Sequence, residues 1–172
     1  MLFTKTLPCR TEEEWLAALP AIRDTRYAVI ETCGGELQAI HLRRFPKLIS
    51  WPEIWPVASG YHAQGATDRC LLYYNQPRSC LNFLALKYVV SSPRTSYATL
   101  LAAVGTLDAI GAAKQIDAIL CDAANSRLSD RLLVRHGWEK HKPARWHRNF
   151  IKRFYGEYPA IRLPLLARPS AS

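Results

Sequence analysis

The chain has 172 residues, 49% of them hydrophobic and 22% charged, with five Trp and eight Tyr. That composition excludes a disordered or low-complexity chain and suffices for one packed core. The formal net charge is +9, and from Arg127 to Arg168 eleven Lys and Arg stand against three acids, so the excess is C-terminal and points either to an anionic partner or to a solvated basic face.

The start carries no signal-type apolar stretch and no run reaches membrane-spanning length. A soluble cytoplasmic protein that engages no membrane is therefore expected. The five cysteines (Cys9, Cys33, Cys70, Cys80, Cys121) are odd in number and lack a C-x-x-C pair. Free thiols are expected, without a metal site, and Cys121 in its apolar run is expected to be a buried small hydrophobe.

In chain order, "TEEEWLAALPAIRDT" predicts a first helix, with Thr11 as N-cap and three glutamates in its first turn. "RYAVIETCGGELQAIHLRR" predicts a hairpin that turns at Cys33-Gly34-Gly35. The stretch from Phe45 to Arg69 is rich in Pro, Gly and aromatics and reads as a long loop in which Trp51 and Trp55 line a pocket or plug the edge of the core. "RCLLYYNQ" is a further strand, and "CLNFLALKYVV" is a central strand buried on both faces.

Pro93 and the surrounding Ser and Thr mark the start of an Ala- and Gly-rich helix that can approach a sheet closely. "IDAILCD" is the strand after it, so strand, helix and strand make a βαβ unit with parallel strands. The run 125–139 is a short amphipathic helix with Asn125 or Ser126 as cap, Leu128, Leu132 and Leu133 as apolar stripe and Gly137 as left-handed terminator. Two β segments follow around Lys142-Pro143, then a tail with three prolines. The expected organisation is one domain over residues 1–158 and an extended tail over 159–172.

From Leu81 to Gly156 this order resembles the GNAT-like acyl-CoA N-acyltransferase superfamily. The βαβ unit followed by Asn125, a short helix and Gly137-Trp138 is similar to that family's "N…GF" segment. The resemblance implies an α/β fold with a mixed, mainly antiparallel sheet, a parallel βαβ core and flanking helices. It also implies acetyl-CoA or another acyl-CoA as cofactor, bound where the two parallel strands splay, and an amine as acyl acceptor. Carried over, Ser92, Arg94, Thr95 and Ser96 at the helix start would cradle the pyrophosphate, since unpaired helix N–H groups favour phosphate. Val90 would face the pantetheine through its backbone, and Asn125 would contact the cofactor arm or brace the strands.

The sequence departs from the family's pattern at three places. Tyr97 and Thr99 stand where the phosphate loop carries glycines, Leu133 stands where many members have an acid tyrosine, and Asn125 lies one residue further from the glycine than is usual. Acyl transfer needs a deprotonated amine and a proton donor for the thiolate. Tyr88, Asp122 and His136 are the candidates, each with a structural alternative in core packing, a turn acceptor and a helix C-terminal cation respectively. A second function also fits: an inactive GNAT-like module whose basic C-terminal half binds nucleic acid, because "KHKPARWHRNFIKRFYG" interleaves cations with Trp146, Phe150, Phe154 and Tyr155.

Overall fold

The computed structural model describes residues 3–46, 68–92, 94–122, 130–142 and 148–159. In chain order the elements are β1 (Phe3–Pro8), α1 (Glu12–Asp24), β2 (Tyr27–Cys33), β3 (Glu36–Arg43), β4 (Arg69–Asn75), β5 (Phe83–Ser91), α2 (Tyr97–Ala113), β6 (Ala118–Asp122), α3 (Asp130–Arg135), β7 (Glu139–Lys140) and β8 (Asn149–Arg153). The strands form one eight-stranded sheet in the order β1-β3-β2-β4-β5-β6-β8-β7. Every neighbouring pair is antiparallel except β5 and β6. The fold is thus α/β with a mixed, mostly antiparallel sheet, and α2 is the crossover that lets two strands run parallel.

Local sequence accounts for most of these elements. Thr11 caps α1 in a full capping box, its hydroxyl accepting from the Glu14 amide while the Glu14 carboxylate accepts from the Thr11 amide. The β2–β3 hairpin turns on Gly34 and Gly35 at φ 61° and 83°, both in the left-handed region that a two-residue turn of this kind requires. At the far end of the chain, Gly137 at φ 79° ends α3 in a Schellman motif: the Trp138 amide donates to Leu133 O and the Gly137 amide to Val134 O. Leu133 and Trp138, the apolar pair of that motif, are both buried.

One face of the sheet carries the core. Ala28, Ile30, Leu37, Ile40, Leu72, Tyr74, Leu84, Leu86, Ile119, Cys121 and Phe150 pack in one cluster with Trp15, Ala18 and Ile22 of α1 and with Ala103, Leu107 and Ile110 of α2. Helix α2 lies across β2, β3 and β4 and against α1. Its C-terminal end packs as closely against the chain around it: a Cβ added at Gly111 would meet Ile116 and Phe154 at 3.3 Å. The Lys114 ammonium ties the two helices by donating to Arg23 O and Thr25 O at the end of α1 and to Gln76 Oε1. Burial pushes that amine down to about 8.

The first strand, β1, has no counterpart among the sequence expectations. It is an edge strand with Lys5 and Pro8 in a six-residue span, and only Leu7 of its described side chains is buried, so it lacks the apolar alternation by which a strand is recognised. Trp51, Trp55, Asn125 and the tail from residue 160 lie outside the described residues. No helix among the described residues is long and apolar enough to cross a membrane.

Candidate functional site

Strands β5 and β6 pair only from Phe83 with Ala118 to Leu86 with Cys121. Beyond Leu86, β5 continues to Ser91 with no ladder partner on its β6 side among the described residues. The parting coincides with a bulge: Tyr74 of β4 faces Leu86 and Tyr73 faces Tyr88, which leaves Lys87 as the extra residue. A bulge bends its strand and increases the local twist. It also resets the alternation, so that Val89 faces the helices and Tyr88 and Val90 face the open side of the sheet.

At the end of this strand the chain turns into α2, and the residues expected at the phosphate cradle come together there. The Ser92 amide donates to Arg69 O, and the Ser92 and Thr95 hydroxyls lie 2.9 Å apart. The Thr95 hydroxyl donates to Arg69 O at 2.7 Å. Ser96 caps α2, accepting from the Thr99 amide, and Arg94 is exposed. The position in front of the helix already holds an anion, however. The Asp68 carboxylate accepts from the Ser96 amide at 2.7 Å and from the Ser96 hydroxyl at 2.8 Å. Burial raises the Asp68 carboxyl, but hydrogen bonds from the Ser96 amide and hydroxyl and from Thr99 outweigh it and hold the group below the usual carboxylate range.

Thr99, one of the two side chains standing in place of a glycine, turns inward and is fully buried. Its hydroxyl accepts from the Gly35 amide at 2.7 Å and its carbonyl accepts from the Thr32 hydroxyl, which fastens α2 to the hairpin. Tyr97, the other, points outward and shares a 2.7 Å hydrogen bond with His136 Nε2. Below that pair, Leu86 and Val89 of β5, Leu101 and Val104 of α2, Leu133 and Trp138 close around a void of only about 20 Å³. One helical face further along, Asp108 accepts from Lys152 at 2.6 Å, and its other carboxylate oxygen is buried without a partner. Burial is the main effect on this carboxyl and raises it, against the Lys152 charge.

The three candidate catalytic side chains do not converge. Tyr88 and Asp122 lie on the open face, on the two strands that part, whereas His136 lies on the helical side with Tyr97. Sequence reasoning missed Tyr97 as a partner for His136 and Asp68 as the occupant of the helix end. Nothing local signals a contact between residues 39 or 28 positions apart. Cys121 is buried as expected, and burial pushes its thiol up to about 12, as it does for Cys9 and Cys70. No group of His, Cys, Asp or Glu among the described residues forms a metal site.

Among the described residues, four cations of the basic C-terminal half make internal ion pairs. Lys140 and Arg148 pair with Asp130, Arg153 with Glu139, and Lys152 with Asp108. Phe150 and Phe154 are buried, which leaves Tyr155 as the exposed aromatic of the described part of that segment. No family model, curated protein or solved structure matches this chain.

Proposed function

We propose that the protein is an acyl-CoA-dependent N-acyltransferase of GNAT-like type, moving an acyl group to an amine. The observation that carries this reading is the parting of the parallel strands β5 and β6 beyond Leu86, with the start of α2 at the open end. A gap of this kind offers strand-edge amides to an extended amide-bearing arm, and a helix N-terminus offers donors to a phosphate. Acyl-CoA would supply the activated thioester.

The donor set at the helix suits an anion, as its grip on the Asp68 carboxylate demonstrates. Pyrophosphate binding there requires Asp68 to leave. Ser92, Thr95 and Ser96 would then supply hydroxyl and amide donors, and Arg94 a mobile charge at the rim. Tyr88 and Val90 present β5 to the gap. On the helical side, the Tyr97 phenol, hydrogen-bonded to His136, would be the candidate proton donor in place of the tyrosine whose position Leu133 takes. Asp122, exposed at the end of β6, would be the carboxylate that orients an amine.

Thermal unfolding of the purified chain with acetyl-CoA, and with CoA and ATP as controls, tests the reading, because a ligand that binds only the folded state raises its midpoint. We expect a rise with CoA compounds that is larger in Asp68→Asn and lost in Arg94→Ala. No shift at millimolar ligand in either the parent chain or Asp68→Asn overturns it. On the described part of the segment that the nucleic-acid alternative would use, Lys140, Arg148, Lys152 and Arg153 are paired internally and Phe150 and Phe154 are buried; salt-dependent RNA or DNA binding would test that alternative.

A further inference from the structure

A second polar cluster lies on the open face of the sheet, on the four strands furthest from the gap's β6 side. Thr6 of β1, His41 of β3, Glu31 of β2 and Arg69 of β4 stand in a diagonal row on one face: His41 is opposite Thr6 and Val29, Glu31 lies two residues along from Val29, and Arg69 is opposite Cys33, two further. The Thr6 hydroxyl is 2.9 Å from His41 Nδ1, and His41 Nε2 is 2.6 Å from Glu31 Oε2. Arg69 donates to the other oxygen, Glu31 Oε1, at 2.7 Å. The row forms the wall of a groove of about 520 Å³, whose lining also includes Arg10, Cys33 and Gln38. Thr6 is exposed at the groove, while the His41 and Glu31 side chains are only 15% and 18% exposed.

The direction of the hydrogen bonds follows from charge. The hydrogen bond from His41 is the main influence on the Glu31 carboxyl and lowers it; burial opposes this, and the Arg69 charge adds to the lowering. An ionised Glu31 can only accept, so Nε2 carries the imidazole proton and donates it. In neutral His41 this leaves Nδ1 as an acceptor, and the Thr6 hydroxyl donates to it. The order hydroxyl, imidazole, carboxylate is that of an activated nucleophile, with the carboxylate fixing the tautomer. Arg69 in turn fixes the carboxylate.

We propose that Thr6, His41 and Glu31 form a catalytic relay and that the groove takes a small carboxylic ester, whose acyl group passes to Thr6 and then to water. In the first step Thr6 Oγ1 attacks the carbonyl carbon and its proton moves to His41 Nδ1. The ester C–O bond then breaks, the leaving alcohol takes the proton from Nδ1, and Thr6 carries the acyl group. Water attacks that ester with its proton passing to Nδ1, the carboxylic acid departs, and Thr6 recovers its hydroxyl. Arg10 lines the groove beside Glu14, and its guanidinium would be the charge that meets the oxyanion. This site is separate from the β5–β6 gap and does not depend on CoA binding.

The test is incubation of the full chain with p-nitrophenyl acetate, following nitrophenolate release and mapping the acetylated residue by peptide mass spectrometry. The expected result is an acetyl group on Thr6, absent in Thr6→Val, retained in Thr6→Ser, and formed at least about a hundredfold more slowly in Glu31→Gln, which breaks the tautomer control. Thermal unfolding of each variant establishes that it is folded, and Thr6→Val at an exposed edge position provides the comparison should Glu31→Gln unfold. Acetylation confined to Cys33 or to lysines, or nitrophenolate release at the parent rate in folded Thr6→Val, overturns the proposal.

Discussion

The two halves of the sheet each contain a one-residue bulge, and the comparison shows how far a single extra residue reaches. In the β1–β3–β2–β4 half, besides a shift at Thr4 in the β1–β3 ladder, the β2–β3 ladder has Gln38 as its extra residue: Thr32 faces Leu37, but Glu31 faces Ala39. Without it, His41 would fall opposite Ala28 and point at the helices; with it, His41 falls opposite Val29, on the face of Glu31. In the other half Lys87 does the same for Tyr88. The consequences differ. The first half keeps its ladders long and gathers polar groups into a row, whereas the second gives up ladder bonds as β5 leaves β6, pairs β7 over only two residues, and relies on side chains for its hold.

The sharpest way to break that contrast is Lys152→Ala. It leaves Asp108 buried without its ion-pair partner, and we expect a loss of roughly 3–5 kcal/mol in urea unfolding. Replacing both partners, as Asp108→Leu with Lys152→Met, should recover most of it. Native-state hydrogen exchange should show β8 losing protection in Lys152→Ala before β2 and β3 do. A uniform loss across the sheet would show that the two halves unfold as one unit.

A smaller effect is expected at Gly137. An alanine there must adopt φ near 79° in the Schellman turn, at a cost of about 1–2 kcal/mol. The same denaturation curve measures it, and an unchanged midpoint would mean that α3 ends differently.

The smallest effect, and the one that addresses the first half, is acid sensitivity. Glu31 and Asp68 both have carboxyls lowered below their ordinary values of 4.5 and 3.8. The stability they contribute is complete above those values and is lost as the pH falls through the lower folded-state values. Glu31→Gln should therefore flatten the acid limb of stability against pH while lowering the plateau. A parent-like acid limb in that variant would remove Glu31 from the account.

What the sequence made legible was what local chemistry decides. The Gly34-Gly35 turn, the Thr11 cap, the βαβ unit and the Gly137 terminator each depend on a few adjacent residues, and each is found where the sequence placed it. The loop cradle was legible as a place but not in its contents, because Asp68 reaches Ser96 across β4 and β5. The Thr6–His41–Glu31–Arg69 row was illegible for two reasons. One member sits on an edge strand without apolar alternation, and a two-residue hairpin loop read at face value pairs Glu31 with Gln38, which puts His41 on the wrong face. Bulges carry little sequence signature, yet here both candidate sites depend on one.

Asp68 has a further consequence. A carboxylate carried on the chain and seated on Ser96 behaves as a tethered ligand, with an effective concentration on the order of millimolar for a short linkage. Any anion that binds at the start of α2 does so by exchange, and its apparent affinity is its intrinsic affinity divided by the advantage of the tether. The released residue is the immediate neighbour of Arg69, which begins β4 and holds Glu31. The two candidate sites thus meet at one strand end, at the consecutive residues Asp68 and Arg69.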